Sequence, residues 1–255
     1  MDINLNADLG ESFGAYRMGD DAALMAIIGS ANVACGFHGG DPSVMAETVR
    51  LAQAAGVSIG AHPSFPDLQG FGRRAMRLGP DELAAVVVYQ IGALMGMARS
   101  QGARVSHVKP HGAMSNMACE DAAMATTIAR AVRSVDPDLI LLAPALSQLA
   151  LAGRAVGLRV ADEVFADRAY TDEGHLVPRS QPGAVLDGSA ACLAHVLRML
   201  AQGGIVSTSG RLLPTPFHSI CVHGDNAHAV ATAAALRDGL LAAGHRLRPL
   251  PDLLG

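Results

Sequence analysis

The sequence predicts a (β/α) barrel with about seven parallel strands. Three observations lead there. Short apolar runs alternate with helical patterns along the 255 residues, the order that gives a parallel sheet with helices outside it. Strand-to-strand spacing is close to one βα unit, and the strand count comes near the eight of a common barrel of similar length. No GxGxxG follows the first strand, which weakens the dinucleotide-binding form of the runner-up, a doubly wound open sheet.

Ile3–Leu9 reads as a strand, Asp20–Ile28 as a short helix and Ala31–Phe37 as the next strand. Asp41–Ala55 reads as a helix, because Asp41 can cap it, Pro42 suits its first turn and Gly56 can end it. Val57–Ala61 is a strand, Glu82–Gln101 a long helix and Val105–Val108 a strand. Asp121–Ser134 is a helix, Leu139–Ala143 a strand, Ala145–Val156 a helix and Leu158–Val164 a strand. Gly188–Gln202 is a helix, Ile220–His223 a late strand and Ala227–Ala243 the closing helix before Gly244. Pro63–Leu78 and Phe165–Leu186 are the long irregular stretches. With no linker, repeat or low-complexity segment between these elements, residues 1–255 are expected to form one domain.

Half of the residues are apolar and 16% are charged, the composition of a globular chain rather than a disordered one. A formal charge of −4 without any basic run argues against nucleic acid or an anionic membrane as a partner. No apolar stretch approaches the ~20 residues that span a bilayer, and MDINLNADLG lacks the regions of a signal peptide. Cys35, Cys119, Cys192 and Cys221 are scattered without a CxxC, so reduced thiols in the cytoplasm are expected and a zinc knuckle is not.

The first strand carries the strongest signal. Ile3, Leu5, Ala7 and Leu9 share one face, and Asn4, Asn6 and Asp8 share the other. In a barrel the apolar face meets helices and the polar face looks inward, where those groups must bond to each other, to water or to a ligand. The same parity puts Asn32 with His38, Ser58 with Gly60 and His62, His107 with Lys109 and His111, and Cys221 with His223. Several strands therefore end in polar groups: Asp8 with Glu11, His38 with Asp41, His62, Lys109 with His111, and His223 with Asp225 and Asn226. The carboxyl ends of parallel strands build active sites in such folds. One such histidine is more often a bonded core residue, but five strand ends together make an enzyme the leading reading.

Other positions remain open. Gly36, Gly39 and Gly40 serve either as turn residues or as room for a ligand, and Asp41 reads first as a helix cap. Arg73 and Arg74 form either a solvated basic loop or a clamp on a carboxylate, and Arg168 and Arg179 share that choice. Met95 and Met97 read as packing. Lys109 is the only lysine of the chain and stands within HVKPHG.

Six motifs carry a resemblance: NADLGESFG, ANVACGFHGGDP, GAHPSFPDLQGFGRR, VKPHGAMSN, EVFADRAYTDEGHLVPR and ICVHGDN. Together and in this order they resemble the LamB/YcsF family over almost the whole chain. Ala7, Gly39 and Met114-Ser115 stand where the family pattern leads to Cys, Ala and Leu-Tyr. The resemblance implies a barrel of the glycoside hydrolase/deacetylase kind. It implies cleavage of the lactam of 5-oxo-L-proline to L-glutamate, coupled to ATP hydrolysis, in company with 5-oxoprolinase subunits B and C. No P-loop GxxxxGK[ST] occurs, as expected if the ATP chemistry depends on those partners.

On that reading Asp8, His62 or His38 is the general base, and Lys109 and His111 stabilise oxyanion charge. Arg73, Arg74 or Arg168 holds the substrate carboxylate, with Asn6, Glu11 and His223 as further substrate contacts. Two rivals stand beside it. One is a metal-dependent deacetylase or hydrolase acting alone, with Asp8, His38, His62 and His111 as ligands of a divalent ion. The other is a non-catalytic subunit that delivers substrate.

Overall fold

The computed structural model describes residues 1–223 and 228–254. In chain order it begins β1 (Asp2–Leu9), α1 (Asp21–Met25), β2 (Ser30–Ala34), α2 (Pro42–Ala55), β3 (Ser58–His62), α3 (Pro80–Ser100) and β4 (Val105–Val108). It continues α4 (Gly112–Glu120), α5 (Ala122–Val135), β5 (Ile140–Pro144), α6 (Gln148–Ala155), β6 (Arg159–Phe165) and α7 (Ser189–Gln202). It ends β7 (Gly204–Val206), β8 (Leu212–Pro214), β9 (Ser219–Val222), α8 (Ala229–Ala242), β10 (Arg246–Leu247) and α9 (Leu250–Leu253).

β1 to β6 and β9 pair in parallel in that order, and β9 returns to β1 through Asn4↔Ser219 and Ala7↔Val222. That last pairing closes the sheet into a seven-stranded barrel, so the open sheet is overturned and the expected strand count holds. The apolar face of β1 (Ile3, Leu5, Ala7, Leu9) is buried in the main core, between barrel and helices. Its polar face fills the interior. There Asn4 bonds Ser30 and Ser219, and Asn6 bonds Glu163 and Ser219. Leu250 of α9 packs with Ile140, Leu142 and Ala161, and its backbone N–H donates to Ser30 Oγ, which seals the end of the barrel away from the strand carboxyl termini.

Several boundaries differ from expectation, each for a local reason. β2 stops at Ala34 rather than Phe37, because Gly36 takes φ 92° and its N–H turns to Gly39 O. α4 occupies a stretch to which the sequence assigns no element, and no side chain caps it. α6 starts at Gln148 because Ser147 is its N-cap. The β7–β8 hairpin has strands of three residues, too short for an alternation to register. α3 is long and apolar enough to cross a membrane by length and composition, which corrects the expectation that no stretch approaches that length. Its Leu83, Val87, Ile91, Leu94 and Ala98 are buried in the main core. Asp225, Asn226 and the start of the closing helix at Ala227 lie outside the described residues.

Candidate active site

A cavity of about 490 Å³ opens at the carboxyl ends of the barrel strands. Asp8, His62, Lys109, His111 and His223 line it, with Arg73, Arg168 and Arg179 among its walls. The ladder between β3 and β4 runs on past the strand ends, since Lys109 N–H donates to Ala61 O and His111 N–H to Pro63 O. Pro110 between them fixes its own φ and keeps Lys109 extended, so both side chains are delivered to one place.

Below the cavity lies a buried charge cluster. Lys109 Nζ is 2.9 Å from Asp8 Oδ1, 3.0 Å from Glu163 Oε1, 3.0 Å from Cys221 Sγ and 3.3 Å from Asn6 Oδ1. An ammonium has three protons, and these four acceptors already take them. The Lys109 charge is paired with Asp8 and Glu163, while Lys109 also lines the cavity. Burial alone would lower the Lys109 pKa, but the charge of Asp8 together with Cys221 and Glu163 holds it well above the ordinary value. Burial also opposes the Asp8 carboxylate, and His62 and Lys109 outweigh it, so the Asp8 pKa is held well below the ordinary range. Glu163 is the opposite case, with burial raising its pKa against the pull of Lys109; its Oε2 finds no hydrogen-bond partner among the described residues. Asn6, expected to touch substrate, lies a layer deeper and bridges Glu163, Ser219 and Asn32.

Beside the cluster stands a group of imidazoles. His62 Nδ1 meets Lys109 O at 2.6 Å, and its Nε2 lies 3.3 Å from Asp8 Oδ2. His111 Nε2 meets Phe71 O at 2.9 Å, and its Nδ1 lies 2.9 Å from His62 Nε2. His38 stacks on His111 with ring centroids 3.8 Å apart, and its Nε2 lies 3.1 Å from Glu11 Oε1. Burial first, and the neighbouring imidazoles second, push the pKa values of His38 and His111 well below the ordinary histidine value. Phe71 holds φ 54°, a strained conformation for an aromatic residue. Gly72 beside it has φ 64°, and a Cβ there would collide with Ser64 and crowd His111 and His38. Glu11, His38, His62 and His111 place one donor atom each within 4.8 Å of one another, so this buried cluster has the donor set for a metal ion.

The remaining candidates divide. Arg73 lines the cavity, with its guanidinium 4.9 Å from the Phe71 ring centroid. Arg74 is not among the residues that line it: Asp67 takes its guanidinium, with Nε 2.9 Å from Oδ1. Arg168 reaches the cavity wall but donates to Ala184 O and Val177 O, bracing the loop after β6. Burial, then the charge of Arg179, lowers the Arg168 pKa. His223 is held by Asp167 through Nδ1 at 2.8 Å. Sequence reasoning missed Glu163, Asp167 and Phe71. Glu163 alone left a sequence signal, a carboxylate followed by Val164 and Phe165 near the end of a parallel strand.

The family model of the LamB/YcsF family matches residues 3–255. The chain belongs to the LamB/YcsF family. A curated relative from Azoarcus sp. (strain BH72), named as a 5-oxoprolinase subunit, is 61% identical, with 99% of each chain covered. The solved lactam utilization protein from Thermus thermophilus has 43% identity and a TM-score of 0.92, over 98% of this chain and 100% of its own. The catalytic domain of a peptidoglycan N-acetylglucosamine deacetylase from Eubacterium rectale has 12% identity and a TM-score of 0.53, a likeness of fold alone. Ala7 and Met114 are buried in the main core. Ser115 lines the cavity.

Proposed function

We propose that this chain is the ring-opening subunit of an ATP-dependent 5-oxoprolinase, hydrolysing the lactam of 5-oxo-L-proline to L-glutamate. Water adds to the lactam carbonyl carbon, the C–N bond breaks, and the ring nitrogen takes up a proton. The observation that carries this reading is the floor of the cavity: a carboxylate and an imidazole nitrogen 3.3 Å apart, Asp8 and His62, beneath a wall bearing Arg73 and Arg179. The floor supplies the basic groups that take a proton from water, and the wall supplies cations for the substrate carboxylate. The substrate is small for a cavity of about 490 Å³, which leaves room for a second anionic group.

A lactam is a resonance-stabilised amide and resists water at neutral pH. ATP enters this reading through partner subunits B and C, because the chain carries no P-loop. The γ-phosphoryl group of ATP is transferred to the amide oxygen with release of ADP. Water addition and C–N cleavage then give γ-glutamyl phosphate, and a second water splits this into L-glutamate and phosphate. Residues 1–255 act as one barrel domain. Four free, buried cysteines suit a reducing cytoplasm.

The test is a reconstitution. The isolated chain is expected to release little or no glutamate from 5-oxoproline and ATP, and addition of subunits B and C to restore turnover. In the assembled complex Asp8→Asn is expected to lower kcat at least ~100-fold, the size of a lost acid–base group. Full activity of Asp8→Asn in the complex would replace this reading with that of a substrate-delivering subunit.

A further inference from the structure

The two imidazoles at the cavity floor meet in an arrangement that hydrogen bonding between them does not explain. A neutral imidazole has one N–H. That of His62 is spent on the backbone carbonyl of Lys109, 2.6 Å from Nδ1. That of His111 is spent on the backbone carbonyl of Phe71, 2.9 Å from Nε2. The nitrogens that remain, His62 Nε2 and His111 Nδ1, therefore point lone pair at lone pair across 2.9 Å, and their rings are nearly perpendicular at 86°. Two carboxylates flank the gap: Asp8 Oδ2 is 3.3 Å from His62 Nε2, and Glu11 Oε1 is 3.7 Å from His111 Nδ1.

We infer that His62 Nε2 and His111 Nδ1, with Asp8 and Glu11 as the carboxylate donors, form a binding site for one divalent transition-metal ion of the zinc class. At a metal–imidazole distance of ~2.0–2.1 Å the observed gap subtends about a right angle at the ion, and widening it by ~0.4 Å reaches a tetrahedral angle. Two imidazoles with carboxylates select zinc, iron or nickel over magnesium or calcium, which prefer oxygen alone. The outer shell is already built: each ligand imidazole gives its other N–H to a backbone carbonyl, which fixes tautomer and ring orientation. The Phe71 carbonyl reaches His111 from a residue at φ 54°, strain that has a purpose if it aims the ligand. His38 is the outer partner of Glu11, through Nε2 at 3.1 Å. A proton shared between the two nitrogens would also relieve the repulsion, and metal binding at this gap would displace it.

Asp8, His62 and His111 line the cavity, so an ion held between them is open to water and substrate. Bound there, it would lower the pKa of a coordinated water. The inference stands on the donors alone, whichever substrate the cavity takes.

The full chain, stripped with a chelator and dialysed, is to be titrated with Zn²⁺ by calorimetry and with Co²⁺ by visible absorption. One equivalent is expected to bind, and Co²⁺ is expected to give the intense d–d bands of a low-symmetry N/O site. His111→Ala is expected to weaken binding at least ~100-fold and to abolish those bands, beyond the 10–100-fold typical of an outer-shell change. His62→Gln gives a second variant, and far-UV circular dichroism shows whether each is folded. Absence of stoichiometric binding, or equal binding by wild type and both folded variants, overturns the site. Failure of the site in these binding measurements leaves the proposed function standing, because they do not read 5-oxoproline turnover.

Discussion

Lys109 Nζ lies 2.9 Å from Asp8 Oδ1 inside the barrel, with the lysine 4% exposed. On its other side the same ammonium lies 3.0 Å from Glu163 Oε1. One cation thus separates two buried carboxylates, and a single lysine in a chain otherwise basic through arginine is accounted for. The compact ammonium fits among four acceptors, whereas a planar guanidinium needs more width and a fork of partners.

Lys109→Met should therefore leave two carboxylates facing each other without a counter-charge. Removing one partner of a buried ionic group costs about 3–5 kcal/mol, and urea unfolding should show a loss of that size. Glu163 already leans toward its protonated form through burial. Adding Glu163→Gln to Lys109→Met should recover at least ~1 kcal/mol, because the two sites share one interaction. Strictly additive losses in the double variant would refute the shared role of the lysine.

His107 lies deeper in the same interior, fully buried, with Nδ1 2.9 Å from Ser106 Oγ and Nε2 3.1 Å from Asn32 Oδ1. Burial first, then the charge of Lys109, pushes its pKa down to about 3. In the unfolded chain an ordinary histidine titrates near 6.5. Between about pH 6.5 and 3 the unfolded state binds a proton that the folded state refuses, so stability must fall as pH falls through this window. The contribution is roughly 1.4 kcal/mol per pH unit below 6.5. Equilibrium unfolding at pH 7, 6 and 5 should show this slope, and His107→Gln should reduce it by close to one proton. An unchanged slope in the variant would assign the acid sensitivity to other groups.

The barrel was legible because β1 alternates without exception from Ile3 to Leu9, and parity alone sorts its core face from its interior face. The histidines and Lys109 were legible because they end strands, where a parallel barrel concentrates polar groups. What escaped was fixed by tertiary geometry. The saturation of Lys109 depends on Glu163 from a strand far along the chain, and no local pattern pairs them. Arg74 and Arg73 are neighbours in sequence, yet the turn through Gly70 and Gly72 sends one to Asp67 and the other to the cavity. The carbonyl of Phe71 became a site feature only through a backbone conformation that side-chain chemistry does not announce.

Two glycines provide a test of opposite sign. Gly60 of β3 faces the barrel interior, and a Cβ there would fall inside the His107 imidazole. His107 is in turn fixed by Asn32 and by its neighbour Ser106, so the ring has no free direction of retreat. Overpacking of this kind costs typically ~1–3 kcal/mol, and the displaced ring also loses its two hydrogen bonds. Gly92, within α3, has open space where a Cβ would stand, and its backbone is helical with φ outside the left-handed region. There alanine reduces unfolded-chain entropy and improves helix propensity, worth ~0.5–1 kcal/mol. Gly60→Ala should lower the melting temperature and shift the His107 ring signals in NMR spectra, while Gly92→Ala should raise it slightly and leave those signals in place. A barrel that accepts Gly60→Ala without loss of stability would mean that His107 does not fill the interior beside β3.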